Sequence, residues 1–361
     1  MNNKKIIAIL AVLAVVVFIL IGTASHNQNQ AKTIRIGAVL PLSGVQAFVG
    51  EGMKNALELA LQNLDTTKYN YELIVEDGAF DVKTSISAAN KLIEVDKVDA
   101  IIDAYAPIGN AISPITEKAK VVHIDIAFDP KIAEGDYNFI LFTTPETAAR
   151  SFLGEMQKRG LKKLGIFRVN NQGIASVHAS IDELADKYGI TIVSDEVFQP
   201  GERDFKGIIA KSARGKADLY ALLALSPELE ILAQQLHEQN IHNLSSTIYF
   251  ELAKDKSVFE GLWSIGYGKT SSDFDARYKA AYGRELGFGS ANVYDAFNVI
   301  VQAAESVAGQ NKPTSQHIAE KIQSIKDFEG VLGKLHVNDI GIIDTPTMVK
   351  VVKDGKLVPV E

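Results

Sequence analysis

The sequence predicts an α/β protein with mostly parallel sheets, arranged as two similar lobes. Apolar strand-like segments and amphipathic helix-like segments alternate with hardly a break over residues 34–266. The alternation restarts near Thr143, and each of the two runs has about the size of one domain. Three helix-like and then three strand-like segments end the chain, which indicates that it recrosses between the lobes.

The first strand, loop and helix occupy residues 34–60. Residues 34–40 form an apolar run interrupted only by Arg35, as strands covered on both faces do. Pro41, Ser43 and Gly44 then end the strand, and helical spacing of leucines resumes after Gly50-Glu51-Gly52. A loop that leaves the carboxyl end of a parallel strand borders the ligand crevice, so this stretch is the first candidate for function.

The later elements follow in order. Strands are predicted at 71–76, 99–103, 121–126, 139–142, 164–168, 191–194, 218–224, 247–250, 262–266, 333–337, 347–352 and 357–360. Helices are predicted at 82–95, 107–118, 145–159, 173–188, 204–213, 227–239, 274–282, 291–308 and 315–325. Asp354-Gly355 predicts a hairpin between the last two strands. The predicted lobe 1 comprises residues 34–143 plus 272–328, and the predicted lobe 2 comprises 144–271 plus 329–361.

The amino-terminal segment, residues 1–25, has the pattern of an export signal. Lys4-Lys5 precede the uninterrupted apolar run 6–21, and the small residues 22–25 follow. This pattern predicts a secretory signal peptide cleaved near Ala24, or else an uncleaved membrane anchor. In both cases the rest of the chain is extracytoplasmic, either in the periplasm or at the cell surface. Residues 26–33 then form a polar tether.

Composition excludes several functions. The 361 residues contain no cysteine, which removes thiol catalysis and thiolate metal sites. The net charge of -7, with no basic block after Lys4-Lys5, argues against nucleic-acid binding. The seven histidines are scattered without metal-ligand spacing, and His123 is expected to be a core residue with satisfied hydrogen bonds. The sequence therefore predicts no catalytic residue, no metal site and no cofactor.

Four stretches resemble a known family. They are IRIGAVLPLSG with VGEGMKNALELA, then IIDAYAPIGNAISPITEKAKVVHIDIAFDP, FQPGERDFKGIIAKSARGKADLYALLALSPELEILAQQLHEQNI, and FEGVLGKLHVNDIGI with VVKDGKLVPV. In order and spacing they resemble the type I periplasmic solute-binding proteins of the leucine/isoleucine/valine-binding group. The resemblance implies two doubly wound, Rossmann-like lobes joined by three crossovers, with a ligand held between them by hinge closure. It also implies a monomeric receptor that serves the permease subunits of an ABC importer.

Candidate ligand residues are carried over from this family position by position. Val49 falls where the family often has an aromatic residue, for which the neighbouring Phe48 is the expected substitute, and Glu251 matches a glutamate that pairs with a ligand ammonium. Pro107 and Phe128 replace hydroxyl residues that usually hold a carboxylate, while Gln172 and Ser226 replace tyrosines that close over the ligand. The full candidate set is Ser43, Phe48, Val49, Tyr105, Ala106, Pro107, Ala127, Phe128, Gln172, Ser226 and Glu251.

The ligand expected from this set is a small organic solute, either an amino-acid-like compound, an amide, or an aromatic or amine compound. Proline donates no backbone N–H, so Pro107 cannot bind a carboxylate through its main chain. A solute with an apolar or aromatic body, and an amine or amide group, suits Phe48, Tyr105, Phe128 and Glu251 better than an ordinary α-amino acid. Ser43 is expected to form the turn, with its backbone N–H free for the ligand.

Two other functions compete with transport. The same fold can serve as a membrane-tethered sensor if the residue 6–21 segment is an uncleaved anchor. A nucleotide-dependent enzyme is the more distant alternative, because Gly50-x-Gly52-x-x-Asn55 and Gly287-x-Gly289-x-x-Asn292 resemble fragments of the dinucleotide fingerprint. Both fragments lack the third glycine, and nine residues separate Leu40 from Gly50, whereas the fingerprint follows its strand directly. Transport is therefore favoured.

Overall fold

The computed structural model describes residues 32–65, 67–127, 129–309 and 311–360. In chain order the strands are β1 (Thr33–Leu40), β2 (Asn70–Asp77), β3 (Ala100–Ala104), β4 (Val122–Ile126), β5 (Asn138–Phe142), β6 (Lys163–Val169), β7 (Thr191–Phe198), β8 (Leu219–Leu223), β9 (Leu244–Ser245), β10 (Trp263–Tyr267), β11 (Phe328–Gly330), β12 (Gly333–Leu335), β13 (Ile342–Asp344), β14 (Thr347–Lys353) and β15 (Lys356–Pro359). The helices are α1 (Ala47–Gln62), α2 (Val82–Glu94), α3 (Ala106–Ala119), α4 (Pro145–Lys158), α5 (Gln172–Ala185), α6 (Lys206–Ser212), α7 (Glu228–Glu238), α8 (Tyr249–Leu252), α9 (Ser272–Tyr282), α10 (Ser290–Ser306) and α11 (Ser315–Gln323).

The first lobe is built on a six-stranded parallel sheet with strand order β13-β5-β4-β3-β1-β2. Helices cover both faces of this sheet. Helices α1 and α10 belong to the hydrophobic core on one face, and α2 and α3 belong to the core on the other face. Burial on both faces explains why β3, β4 and β5 are buried at every position, as the apolar runs predicted.

The second lobe has a separate hydrophobic core. Its four-stranded parallel sheet has the order β7-β6-β8-β9, and a three-stranded antiparallel sheet, β10-β14-β15, adjoins it. Trp263, the single tryptophan of the chain, stacks on Phe152 of α4 in this core. The predicted hairpin at Asp354-Gly355 joins β14 to β15. The α/β class with two parallel sheets is thus confirmed.

Three short crossovers connect the lobes, between β5 and α4, between β10 and α9, and between β13 and β14. They bond directly to one another. The hydroxyls of Thr143 and Thr345 lie 2.8 Å apart, the N–H of Thr144 donates to Oδ1 of Asp344 at 2.9 Å, and the N–H of Gly268 donates to the carbonyl oxygen of Pro346 at 2.8 Å. The three crossovers therefore form one small hydrogen-bonded group, about which a hinge motion of the lobes would occur.

Two sequence predictions about the fold differ from the structure. Residues 247–250 were expected to be a strand, but Tyr249–Leu252 form the short helix α8, because a short apolar run cannot distinguish a strand from a buried helix turn. The boundary at residue 328 also differs, because β13 pairs with β5 and residues such as Val337 and Ile343 pack in the first core. The chain therefore leaves the first sheet after Asp344 rather than near Phe328.

The predicted signal or anchor, residues 1–25, lies outside the described residues, as does most of the 26–33 tether. Among the helices of the described ranges, none is long and apolar enough to cross a membrane. This finding concerns the two lobes and leaves the export segment as a prediction.

Candidate ligand site

An aromatic cluster links the two lobes. It comprises Phe80, Tyr105, Phe142, Tyr267 and Phe288. Ring centroids lie 4.8 Å apart for Phe80–Tyr105, 6.0 Å for Tyr105–Phe288, 5.7 Å for Phe142–Phe288 and 5.3 Å for Phe142–Tyr267. Tyr267 ends β10 of the second lobe, whereas Tyr105 and Phe142 follow or end strands of the first sheet. The cluster therefore lies at the carboxyl edge of the first sheet, where ligands of open α/β sheets bind.

Tyr105 occupies the junction of β3 and α3 with an unusual backbone. Its φ of 79° lies in the region that side chains other than glycine rarely adopt. The strained backbone directs the residue into the aromatic cluster, where its ring packs between Phe80 and Phe288. Burial raises the pKa of the Tyr105 hydroxyl to about 12, so it remains a neutral hydrogen-bonding group.

Tyr267 places a second hydroxyl in the same region. Burial raises its pKa well above the usual value of 10, and the nearby charges or hydroxyls of Glu251, Tyr249 and Tyr105 add to the shift. Its hydroxyl oxygen is buried and has no hydrogen-bond partner among the described residues. An unsatisfied buried hydroxyl costs free energy, and a polar group of a ligand would relieve that cost.

Glu251 forms an ion pair with Lys350 of β14. Nζ of Lys350 lies 2.5 Å from Oε1 of Glu251, and less than a fifth of either side chain is exposed. The pair packs against Gly266, where an added Cβ would lie 2.4 Å from Oε1 of Glu251. The predicted partner of a ligand ammonium is thus already neutralised by a lysine of the protein.

The other candidates on the first lobe lie around the aromatic cluster or apart from it. Phe48 is 69% exposed, and the guanidinium of Arg284 stacks over its ring at 4.1 Å. Ala106 and Val49 pack against the first core, Ala127 is buried after β4, and Pro107 is exposed in the first turn of α3. Phe128 lies outside the described residues.

Ser43 differs from its prediction. Its N–H was expected to be free for a ligand, but it donates to Oδ1 of Asp77 at 3.2 Å, as do the N–H groups of Leu42 at 2.9 Å and Ala79 at 2.8 Å. Burial raises the pKa of Asp77, but the side-chain hydrogen bond of Ser43 and these three N–H bonds together hold that pKa below its usual value. The carboxylate of Asp77 therefore fixes the β1–α1 loop and occupies the donor assigned to the ligand.

On the second lobe, Gln172 is the first residue of α5 and Ser226 precedes α7. The hydroxyl of Ser226 donates to Oε1 of Glu230 at 2.5 Å and accepts from the N–H of Lys254 at 3.0 Å. Ser226 is therefore engaged within its own lobe. Among the predicted residues, Tyr105 packs on Phe288, as does Tyr267, and the charge of Glu251 acts on the Tyr267 hydroxyl.

The sequence reasoning missed Phe80, Tyr267, Phe288 and Lys350. Tyr267 could have been found, because it directly follows the predicted strand 262–266 and strand ends border the crevice. Lys350 could not, because it lies within a strand and its partner Glu251 is 99 residues away in the chain.

A family model described as periplasmic binding protein matches residues 33–356. The chain belongs to this family. The sequence resemblance is thus confirmed, and a family of binding proteins agrees with the prediction that the chain is not an enzyme. Family membership also implies an extracytoplasmic location.

Known relatives of this periplasmic binding protein match most of its length at low identity. The Leu/Ile/Val-binding protein BraC3 of Rhizobium johnstonii is 22% identical over 339 residues, which cover 85% of this chain and 88% of the relative. The structure of LivJ from Streptococcus pneumoniae in complex with isoleucine matches with a TM-score of 0.76 and 20% identity, covering 90% of this chain and 98% of that one. A solute-binding protein of Rhodopseudomonas palustris in complex with 3,4-dihydroxybenzoic acid matches with a TM-score of 0.75 and 21% identity, covering 91% and 96%.

Proposed function

We propose that this chain is the solute receptor of an ABC importer, and that it binds a small organic solute between its lobes. Membership of the periplasmic binding protein family supports the receptor role. The three hydrogen-bonded crossovers support closure by a hinge at Thr143–Thr144, Gly268 and Thr345–Pro346. The permease subunits of an importer are the expected membrane partners of the closed form.

The aromatic cluster is the observation that carries the proposal. Its rings contact one another in sequence, from Phe80 in the first lobe through Tyr105 and Phe288 to Tyr267 in the second. Ligand pockets are typically lined by apolar and aromatic side chains with a few polar groups that orient the ligand. Here the polar groups are the hydroxyls of Tyr105 and Tyr267 and the charges of Glu251 and Lys350.

The proposed solute has an aromatic or apolar body and one charged or amide end. Pro107 donates no N–H, so the first turn of α3 lacks one of the main-chain donors that would hold a carboxylate. A charged end would instead replace one member of the Glu251–Lys350 pair. An amine would take the place of Lys350 and pair with Glu251, whereas a carboxylate would take the place of Glu251 and pair with Lys350. Relatives of this fold have been seen with both isoleucine and 3,4-dihydroxybenzoic acid, which supports testing both classes.

A thermal-shift screen tests this proposal, because binding to the native state raises apparent stability. The panel contains aromatic acids, aromatic amines, amides, polyamines and branched-chain amino acids. Reciprocal variants then identify the charged end. For an amine, Glu251→Gln weakens binding by about 10-fold or more while Lys350→Gln does not, and for a carboxylate the order is reversed. Lys334→Gln, which removes an exposed lysine paired with Asp327, serves as the control.

A solute that binds equally well to both variants would remove the ion pair from the site. If no member of the panel raised the stability, the aromatic solute class would be wrong. Small-angle scattering at saturation tests the hinge, since closure reduces the radius of gyration and an unchanged radius would contradict it.

Export, anchoring and oligomeric state complete the proposal. We expect a monomer whose residues 1–25 act as a cleaved signal or an uncleaved anchor. Intact mass of the protein isolated from its host separates the two fates of this segment. An uncleaved segment without a neighbouring permease would instead favour the tethered sensor.

A further inference from the structure

Three potential metal ligands that are not part of the aromatic cluster lie together beneath helix α3. Asp103 of β3 and His123 and Asp125 of β4 are fully buried, and one potential ligand atom from each lies within 4.8 Å of the others. Asp103 and Asp125 are register partners in neighbouring parallel strands, so both carboxylates and the imidazole lie on the same face of the sheet. The sequence predicted no metal site here, because the histidines lack local metal-binding spacing.

The carboxylates of this cluster lack partners. Both oxygens of Asp125 and Oδ2 of Asp103 are buried and have no hydrogen-bond partner among the described residues. Only His123 pairs with Asp103, and within the described ranges neither carboxylate pairs with a lysine or arginine. A buried carboxylate without a donor or counter-charge is strongly unfavourable, so this set requires added positive charge.

The orientation of His123 is fixed from its other side. Its Nδ1 lies 3.1 Å from Oδ1 of Asn138. The amide of Asn138 donates to the carbonyl oxygens of Ser113 and Glu134 and to Oε2 of Glu117, so its Oδ1 can only accept. Nδ1 of His123 therefore carries the hydrogen. In the neutral ring Nε2 then presents its lone pair to Oδ1 of Asp103, 2.8 Å away. Two lone pairs at that distance repel each other unless a proton lies between them or a cation beside them binds both atoms.

We propose that Asp103, His123 and Asp125 bind a divalent first-row transition-metal ion that is a structural part of the first lobe. The set provides Nε2 of His123 and the unpartnered oxygens of the two carboxylates. A hydrogen bond from the second nitrogen of a ligating histidine to an amide oxygen is the usual outer-sphere arrangement of such sites. Imidazole suits zinc and carboxylates suit manganese, whereas calcium prefers six to eight oxygen ligands. A divalent ion would also neutralise both carboxylates.

The position of the site explains what the ion would do. Tyr105 follows Asp103 by two residues, and Ala127 follows Asp125 by two. The ion would tie the ends of β3 and β4 together where both strands enter the loops beside the proposed ligand site. Helix α3 closes over it, since a Cβ on Gly109 would lie 1.5 Å from Oδ2 of Asp125. The ion must therefore enter during folding or by local opening.

Protonation is the competing way to neutralise the cluster. Burial, and after it the charge of Asp103, raises the pKa of Asp125 well above its usual range. The two alternatives predict opposite effects of Asp125→Asn. If a metal is bound, the variant loses a ligand and its stabilisation. If Asp125 is instead a neutral acid, the isosteric amide replaces it with little loss or with a gain in stability.

The experiment uses the full chain, unfolded in urea with chelator and refolded with Zn²⁺, Mn²⁺ or chelator alone. We expect about one tightly held metal ion per chain after desalting, and a higher melting temperature than in chelator. Zn²⁺ at about 100 times its Kd favours the folded state about 100-fold. Asp125→Asn should lose both the bound metal and the shift. Asp195→Asn is the matched control, because Asp195 is a partly exposed aspartate paired with a histidine, His178, in the other lobe.

If Asp125→Asn fails to fold, refolding the wild-type chain with Co²⁺ gives a second measurement, since ligation by nitrogen and oxygen produces a visible absorption band. Substoichiometric metal, equal melting temperatures in metal and chelator, or an Asp125→Asn variant as stable as the wild type would each overturn the proposal in favour of protons. Metal bound equally by the Asp195→Asn and Asp125→Asn variants would mean adventitious binding and would overturn it as well. These outcomes are independent of which solute the receptor binds.

Discussion

Gly50 gives the sharpest test of how the β1–α1 junction is packed. It is the fourth residue of α1 and is buried against the end of the preceding strand. A Cβ at this position would lie 2.1 Å from the carbonyl oxygen of Pro41, 2.6 Å from its carbonyl carbon and 3.2 Å from the nitrogen of Leu42. All three atoms belong to the backbone. Gly50→Ala therefore requires the helix and the loop to separate by about 1 Å, since non-bonded carbon contacts fall near 3.5 Å.

The magnitude follows from two opposing effects. Alanine is favoured over glycine inside a helix by about 0.5–1 kcal/mol. Overpacking of a rigid site costs about 1–3 kcal/mol. We therefore expect Gly50→Ala to lower the free energy of unfolding of the first lobe by about 1–2 kcal/mol. Gly154 in α4 is the matched control, because its Cβ would find only Cε1 of Tyr188, at 3.6 Å. Gly154→Ala keeps the helix benefit without the overlap and should stabilise the second lobe.

Urea unfolding with two probes distinguishes the lobes. Far-ultraviolet circular dichroism follows both, whereas fluorescence of Trp263, the single tryptophan, follows the second. Gly50→Ala should shift the dichroism transition to lower urea, and Gly154→Ala should shift the tryptophan transition to higher urea. A Gly50→Ala variant at least as stable as the wild type would show that the junction has room for a side chain and would refute the reasoning.

Two further predictions concern the cores. Burial raises the pKa of Asp295 to about 7, although the N–H groups of Val331 and Leu332 donate to it. The folded state therefore binds this proton more tightly than the unfolded chain, and its contribution to stability falls by about 4 kcal/mol as pH rises from about 4 to 7. Urea unfolding at pH 5 and 8 should show a smaller pH difference in Asp295→Asn, and an unchanged difference would exclude Asp295 as its source. Phe152→Ala should destabilise the second lobe by about 3–5 kcal/mol and alter Trp263 fluorescence; a cost below 1 kcal/mol would contradict its full burial.

The alternation of elements was readable from the sequence because most strands are buried on both faces and appear as apolar runs. Assignment from the apolar pattern failed where an element is too short to show a helical or strand periodicity. Tyr249–Leu252 is a single helical turn, and β11 and β13 have three residues each. The pairing of β13 with β5 joins segments about 200 residues apart, so the local sequence does not indicate which strand β13 pairs with.

The candidate site was predictable to the extent that it follows strand ends. Tyr105 was found in this way, and Tyr267 obeys the same rule. Whether each polar group is free or already paired was not predictable, because its partner comes from a distant segment of the chain. Asp77 occupies the N–H of Ser43, and Lys350 neutralises Glu251. Likewise, Asp103 and His123 are 20 residues apart, and the register of β3 and β4 brings them together.

The packing of Gly50 also bears on the nucleotide-binding alternative. In a dinucleotide fingerprint the glycines precede or open the helix, so that the backbone can approach a pyrophosphate at its amino terminus. Here α1 begins at Ala47, and Gly50 already lies inside it. The space beside its Cα is filled by the carbonyl oxygen of Pro41, an acceptor that would repel a phosphate. Gly50 is therefore required for the close approach of helix and loop. The glycine that resembled part of a nucleotide motif in the sequence instead fixes the edge of the crevice, where Phe48 is exposed.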